Sequence, residues 1–262
     1  MSSAALHIAR TGLDAQDTRM RVISNNLANV NTTGFKKDRA AFETLAYQVV
    51  TAPGAASTAE TKYATGLNLG TGVRVQGTAR IDTQGSLQTT NNSLDLALDG
   101  NGYFQVQLPG GQLGYTRAGN FSRSPEGLLV TSEGYQVQPG ITVPEGTTAI
   151  TIGTDGTVSA TVPGQTEPTQ LGQIQVASFA NAAGLQSTGD NYLTETAASG
   201  AANVGIAGQD GRGQIRQGML EGSNVNVVEE LVDMIETQRA YEVNSKMISA
   251  TDEMLKYVNQ NI

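Results

Sequence analysis

Leu6, Ala9, Leu13, Gln16, Met20, Ile23, Leu27 and Val30 recur alternately three and four residues apart, and seven of the eight are apolar. A helix reads that period and a strand does not. At about 1.5 Å per residue such a helix is roughly 40 Å long. Its remaining faces carry Arg, Asp, Asn and Ser, so the stripe is narrow and has to be covered by something else. The far end of the chain offers a match. Val228, Leu231 and Ile235 begin a second stripe there, and Ala240, Val243, Met247, Ala250, Met254 and Tyr257 continue it, with no Gly or Pro between 223 and 262. Ser223 or Asn224 is placed to cap this helix, and Glu229 and Glu230 lie near its positive end. Residues 1–39 carry a net charge of +3 and residues 223–262 a net charge of −4. Two complementary seams at opposite ends of one chain predict an antiparallel coiled-coil pair made by bringing the ends together. Packing of both helices onto the central region is the alternative.

Between the seams the period changes from helical to alternating. In SLDLALDG, Leu94, Leu96 and Leu98 are predicted to face one way and Asp95, Ala97 and Asp99 the other, as in a half-buried strand. TQGSLQT (83–89), SPEGLLVT (124–131) and TDGTVSAT (154–161) each place a polar residue and a Gly before a β-type run, which is a hairpin signal. The fold class is therefore α+β, with terminal helices and a central, mainly antiparallel β domain. The expected divisions are an N-terminal helix and turn at 1–45, an extended arm or linker at 46–72, the β domain at 73–196, a connecting segment at 197–222 and the C-terminal helix at 223–262. The 46–72 and 197–213 stretches are rich in Ala, Gly, Ser and Thr and have no sustained period.

The residues for chemistry are sparse. Cysteine is absent, so there is no disulfide framework and no thiolate. His7 is the one histidine, and no carboxylates cluster beside it in sequence to complete a metal site. There is no G-x-S-x-G elbow and no Gly-Lys pair for a phosphate loop. DGNG at 99–102 opens like a calcium loop, but its twelfth position is Gly110 where a bidentate Glu is needed, so it reads as a turn. GQDGRG at 208–213 lacks a preceding buried strand, and Asp95 with Asp99 reads as the solvated side of a strand. Lys36, Lys37 and Arg39 read as a solvated turn. No catalytic residue, cofactor or metal is expected. A net charge of −8 on 262 residues argues against nucleic acid, and no run of 18 apolar residues is present to span a membrane. Residues 1–20 lack a continuous apolar core, so the expectation is a cytosolic chain or one exported without a cleaved secretory signal.

LDAQDTRMRVISNNLANVNTTGFKKDRAAFE near the start and SNVNVVEELVDMIETQRAYEVNSKMISATDEML near the end resemble the paired terminal signatures of bacterial flagellar axial proteins, the rod and hook group. The interior TQGSLQTTNNSLDLALDGNGYFQVQLPGG and GYTRAGNFSRSPEGLLVTSEGYQVQP resemble that family too. Length and the 46–72 arm point to its distal-rod branch, with the proximal rod or the hook as alternatives. The resemblance implies a structural subunit that polymerises into a rigid tubular shaft, transmitting torque to the hook and enclosing an export channel. The implied partners are copies of itself, proximal rod proteins, hook protein, the surrounding ring bushing and the type III export apparatus. The implied location is the basal body, in a rod that crosses the periplasm.

On this reading Leu6, Leu13, Met20, Ile23, Leu27, Val30, Val228, Leu231, Ile235, Val243, Met247 and Met254 form the polymerisation interface. Asn and Gly tolerate left-handed backbone, so NTTG is placed to end the first helix and turn the chain. Asn25, Asn26, Asn29, Asn31 and Gly34, with Asn224 and Asn226 at the start of the returning helix, are candidates for a helix-end network. A cell-envelope enzyme and a carbohydrate-binding module or adhesin remain as other classes.

Overall fold

The computed structural model describes residues 2–54, 63–163 and 167–260. The chain divides into two compact units. The helical unit takes Met1–Leu27, Asp38–Ala79 and Val227–Ile262; the β unit takes Ala28–Lys37 and Arg80–Asn226.

In the helical unit, α1 (Ser2–Ala28) is followed by β1 (Asp38–Thr44), β2 (Tyr47–Thr51), β3 (Leu67–Gly70) and β4 (Val73–Arg80), and the unit closes with α2 (Val227–Gln260). The two helices run antiparallel, as three contacts show. Asn26 bonds Glu230 at 3.2 Å, Arg19 bonds Asp233 at 3.1 Å, and a Cβ built on Gly12 would lie 3.1 Å from Asn244. The 46–72 arm holds an antiparallel pair, β2 with β3, in the register Tyr47↔Gly70 to Thr51↔Leu67. Residues 55–62 of that arm lie outside the described residues. β1 pairs with β4, so the position expected as the start of the β domain opens a strand of the helical unit.

α2 begins at Val227, later than the two residues expected to cap it. Ser223 and Asn224 serve the β unit instead. Ser223 Oγ accepts the Val225 N–H at 3.3 Å, and Asn224 is described below.

Fifteen strands follow in the β unit. They are β5 (Leu87–Thr89), β6 (Leu96–Asp99), β7 (Tyr103–Gln107), β8 (Leu113–Thr116), β9 (Ser122–Arg123), β10 (Leu129–Val130), β11 (Ala149–Ile152), β12 (Thr157–Thr161), β13 (Thr169–Gln173), β14 (Gln175–Ser178), β15 (Gln186–Gly189), β16 (Tyr192–Thr194), β17 (Asn203–Ile206), β18 (Gln214–Gln217) and β19 (Met219–Glu221), counted among the described residues. A six-stranded antiparallel sheet has the order β15-β16-β8-β7-β14-β17, and a three-stranded one the order β11-β12-β13. β6 pairs with β18 and β5 with β19, so the segment expected as a connection, 197–222, supplies three strands.

Strand alternation explains the core. On β7, Phe104 and Val106 enter a cluster with Leu96, Leu98, Val137, Ile141, Ile174, Val176 and Ile215, while Tyr103 joins a second cluster with Tyr115, Ala177, Leu185 and Leu193. Phe104 meets Phe121 edge to face at 5.1 Å, and Tyr115 meets Phe179 at 4.8 Å. The central sheet is thus covered on both faces. The reading of SLDLALDG as a half-buried strand is corrected by β6, which lies outside that sheet and is buried on both sides. Leu96, Ala97 and Leu98 are all fully buried, and Asp95 is buried too, its carboxylate accepting from Asn92 Nδ2 at 2.9 Å. Asp99 pairs with Arg216 at 3.1 Å. DGNG is the turn between β6 and β7, as expected.

Candidate assembly interface

The covered side of α2 is mixed: half-buried Met234, Ala240 and Ile248 flank a polar line. Glu230, Thr237, Asn244 and Thr251 recur every seven residues along one line; Glu230 and Thr237 are buried, and Asn244 and Thr251 half-buried. Each finds a use that a short polar side chain permits. Glu230 accepts from Asn26, Thr237 Oγ1 donates to the Asp233 carbonyl at 2.6 Å, and Thr251 Oγ1 donates to the Met247 carbonyl at 2.8 Å. Small residues on α1, with Gly12 set against Asn244, let the helices approach closely.

Many other apolar residues of α2 are exposed. Val228 is 69% exposed, Val243 59%, Ile235 50% and Leu231 42%, and Met247 and Met254 are exposed as well. Val232 and Tyr257 extend the stripe, and Tyr241 is exposed on another face. Among the α1 positions, Ile23 is buried and Leu6, Leu13, Met20 and Leu27 are half-buried; Val30, in the β unit, is half-buried. Most of the α1 seam is therefore buried or half-buried, whereas the Val228–Leu231–Ile235 stripe of α2 is exposed. Burying the six exposed α2 residues of the predicted interface is worth on the order of 5–10 kcal/mol. The polar line contributes far less, since the partly exposed Arg19–Asp233 pair is worth at most about 1 kcal/mol.

The chain flanking the helices is fixed inside the β unit by a clasp. Residues 29–34 turn through the bonds Thr32 N–H to Asn29 O (3.1 Å) and Phe35 N–H to Thr32 O (3.2 Å). Gly34 sits at φ +68°, and its missing side chain matters twice over: a Cβ there would also lie 2.5 Å from the Arg117 carbonyl carbon. Its N–H donates to the Glu221 carbonyl at 2.7 Å. Two residues on, the Lys36 ammonium enters the interior and donates to Glu221 Oε1 at 2.6 Å and to the Thr83 carbonyl at 2.7 Å. Gly85 N–H also reaches Glu221 Oε1 (2.9 Å), and Arg117 Nη1 lies 3.3 Å from Oε2. Lys36, Glu221 and Arg117 are all buried. Burial pulls the Lys36 ammonium below its ordinary range, and the contact with Glu221 opposes that. Tyr103 lies under the Arg117 guanidinium at 5.7 Å and donates its hydroxyl to Asp82; burial first and that carboxylate second raise its phenol pKa.

Lys36 is thus corrected from a solvated turn residue to a buried one. The sequence hides it because its partners, Glu221 and the Thr83 carbonyl, lie far away in the chain. The one available signal is that Glu221 follows Met219 and Leu220 directly, inside a strand.

The helix-end asparagines have distinct places. Asn26 is buried and clamps Asp38, accepting its N–H at 3.0 Å and donating to its carbonyl at 2.9 Å. Asn224 accepts the Lys37 N–H at 2.8 Å and donates to the Ile81 carbonyl at 2.8 Å. Asn29 accepts from Thr32 Oγ1 at 3.1 Å. Asn25, Asn31 and Asn226 are exposed. Among the described residues no group of three His, Cys, Asp or Glu comes together.

Comparison with known proteins gives matches at both ends and in the middle. Residues 6–36 match the model for the flagella basal body rod protein, 97–160 that for the flagellar hook protein FlgE/F/G D1 domain, and 216–261 that for the flagellar basal body rod FlgEFG protein C-terminal region. The flagellar basal-body rod protein FlgG of Buchnera aphidicola subsp. Acyrthosiphon pisum is 51% identical over 98% of both chains, and that of Caulobacter vibrioides 47% identical over 98% of both. The flagellar basal-body rod protein FlgF of Caulobacter vibrioides is 36% identical over 93% of this chain and 92% of its own.

Proposed function

This chain belongs to the flagellar basal-body rod protein family, and from that premise we propose how its geometry builds a shaft. It is a structural subunit of the rod, located in the flagellar basal body, and its partners are copies of itself and other rod and hook components. The relatives named FlgG match it at higher identity than the relative named FlgF, which supports the distal rod segment over the proximal one.

The observation that carries the mechanism is the uncovered apolar stripe on α2. Copies laid side by side bury Val228, Leu231, Ile235, Val243, Met247 and Met254 against one another or against the α1 seam of a neighbour. Interdigitated helices resist bending and twisting, so a tube made this way transmits torque from the motor to the hook and leaves an axial channel for export. The β unit, with its two-sided core and buried clasp, forms a stiff body. Further contacts with the ring bushing, passage of the subunit through the type III export apparatus without a cleaved signal, and a rod that crosses the periplasm complete the proposal. Its role is mechanical, with no catalysis.

Electron microscopy of assembled chain tests this: straight tubes are expected, whereas curved tubes point to a hook segment. A chain lacking both terminal helices that still builds the same tube refutes the mechanism.

A further inference from the structure

Asn26 is 2% exposed, and β1 orients its side-chain amide. Oδ1 accepts the Asp38 N–H at 3.0 Å, and one hydrogen of Nδ2 goes to the Asp38 carbonyl at 2.9 Å. The amide plane is fixed by these two bonds, and the Asp38 N–H decides which end is oxygen. One Nδ2 hydrogen remains, and Glu230 Oε2 on α2 accepts it at 3.2 Å. A buried N–H without an acceptor is costly, so whatever part of α2 faces Asn26 has to carry one. The nearby side chains of Val228, Leu231 and Val232 carry none.

The same selection continues along the pair. Gly12, Arg19 and Asn26 follow at seven-residue steps on α1, as Glu230, Thr237 and Asn244 do on α2. The ends of the two lines meet, Asn26 with Glu230 and Gly12 with Asn244 Nδ2, to which a Cβ on Gly12 would stand at 3.1 Å. Between them Arg19 and Thr237 both turn to Asp233, at 3.1 Å and 2.6 Å, and Thr237 is fully buried. Val228, Ile235 and Glu242 form another seven-residue line, about 200° around the helix from the first. Turning α2 to bury that line on α1 covers Val228 and Ile235. It also strands the Asn26 N–H and brings the exposed Glu242 against α1. A polar group at a helix seam selects one pairing in this way, at a cost in stability.

We propose that Asn26 is the residue that selects which face of α2 turns inward, and that this selection holds the apolar stripe outward for a second copy of the chain. Asn26 acts through Glu230, as a positioning residue. The monomer is thereby kept from burying on itself the surface that assembly uses. The inference rests on the reading of that stripe as the surface between copies.

The chain has no cysteine, so single engineered thiols report the rotation in the monomer itself. Ile235→Cys places a thiol on the exposed side of α2 and Thr237→Cys on the covered side. With Asn26 and Glu230 in place, the first is expected to react with a maleimide at least about fivefold faster than the second. In the background Asn26→Leu with Glu230→Leu the order reverses, and the critical concentration for assembly rises by about tenfold. Glu230→Gln keeps an acceptor for Asn26, and retains both the original order and the original critical concentration within about twofold. An unchanged order in the double Leu background overturns the proposal. So does a common acceleration of both thiols, which reports a helix pair that has come apart. Failure of the stripe as the surface between copies has a different outcome: Leu231→Glu with Ile235→Glu assembles normally while the thiol order still reverses.

Discussion

The two units of this protein put their apolar and charged residues on opposite sides. In the β unit Phe104, Leu96, Val176 and Ile215 are inside, and the charges that accompany them, Lys36, Arg117 and Glu221, are matched by one another and by backbone. In the helical unit the covered side of α2 mixes Glu230, Thr237, Asn244 and Thr251 with half-buried Met234 and Ile248, while Val228, Ile235, Val243 and Met254 face outward. One unit has finished its folding within a single chain. The other has left its largest hydrophobic term unused, and only another surface can take it up. On the proposed assembly, stability in the first is a property of the monomer and in the second a property of the polymer.

Replacing Leu231 and Ile235 together by Glu breaks that comparison most severely. Two charges on the stripe raise the critical concentration for assembly by at least about a thousandfold, read by sedimentation, and leave the melting of the β unit unchanged. A parallel loss of monomer stability would show that the stripe belongs to the intrachain fold. Glu221→Ala acts on the other side. It strands Lys36 and Arg117 without their carboxylate and costs the β unit about 3–5 kcal/mol in denaturant titration, because neither cation is solvated. A cost below about 1 kcal/mol would mean that the clasp is not buried in solution.

Hydrogen exchange sharpens the contrast without any mutation. In dilute monomer, amides at 230–260 and in the first 28 residues are expected to exchange at least about a hundredfold faster than those of β6, β7 and β14. Equal protection would place the helix pair within the cooperative fold of the monomer. The smallest effect concerns the asparagines within the β unit: Asn29→Ala and Asn226→Ala are expected to weaken assembly non-additively, with a coupling of about 0.5–1 kcal/mol. Simple addition of the two losses would remove the amide network from the account.

Legibility in the sequence followed the range of the interaction involved. Helix period, turn chemistry and strand alternation are local, and they yielded α1, α2, the antiparallel β middle and the turn at DGNG. The three turn motifs also open strands where expected, at β5, β10 and β12. β5, however, pairs with β19 from the far end of the unit and not with a hairpin neighbour, since a turn sets only where a strand starts. The family resemblance was legible too, because it resides in long continuous signatures, and it agrees with the matches at 6–36, 97–160 and 216–261.

What the sequence determined by itself was the set of elements and the presence of an unmatched apolar period at each end, both consequences of residue spacing along a single chain. What only the tertiary structure decided was which face of α2 turns toward α1, that β6 is covered on both sides, and that Lys36 meets Glu221 across 185 positions. A helix with two stripes is compatible with either orientation, and spacing alone is silent between them. The choice depends on close approach at small residues and on polar groups that find partners in space, which are properties of surfaces brought together by the fold.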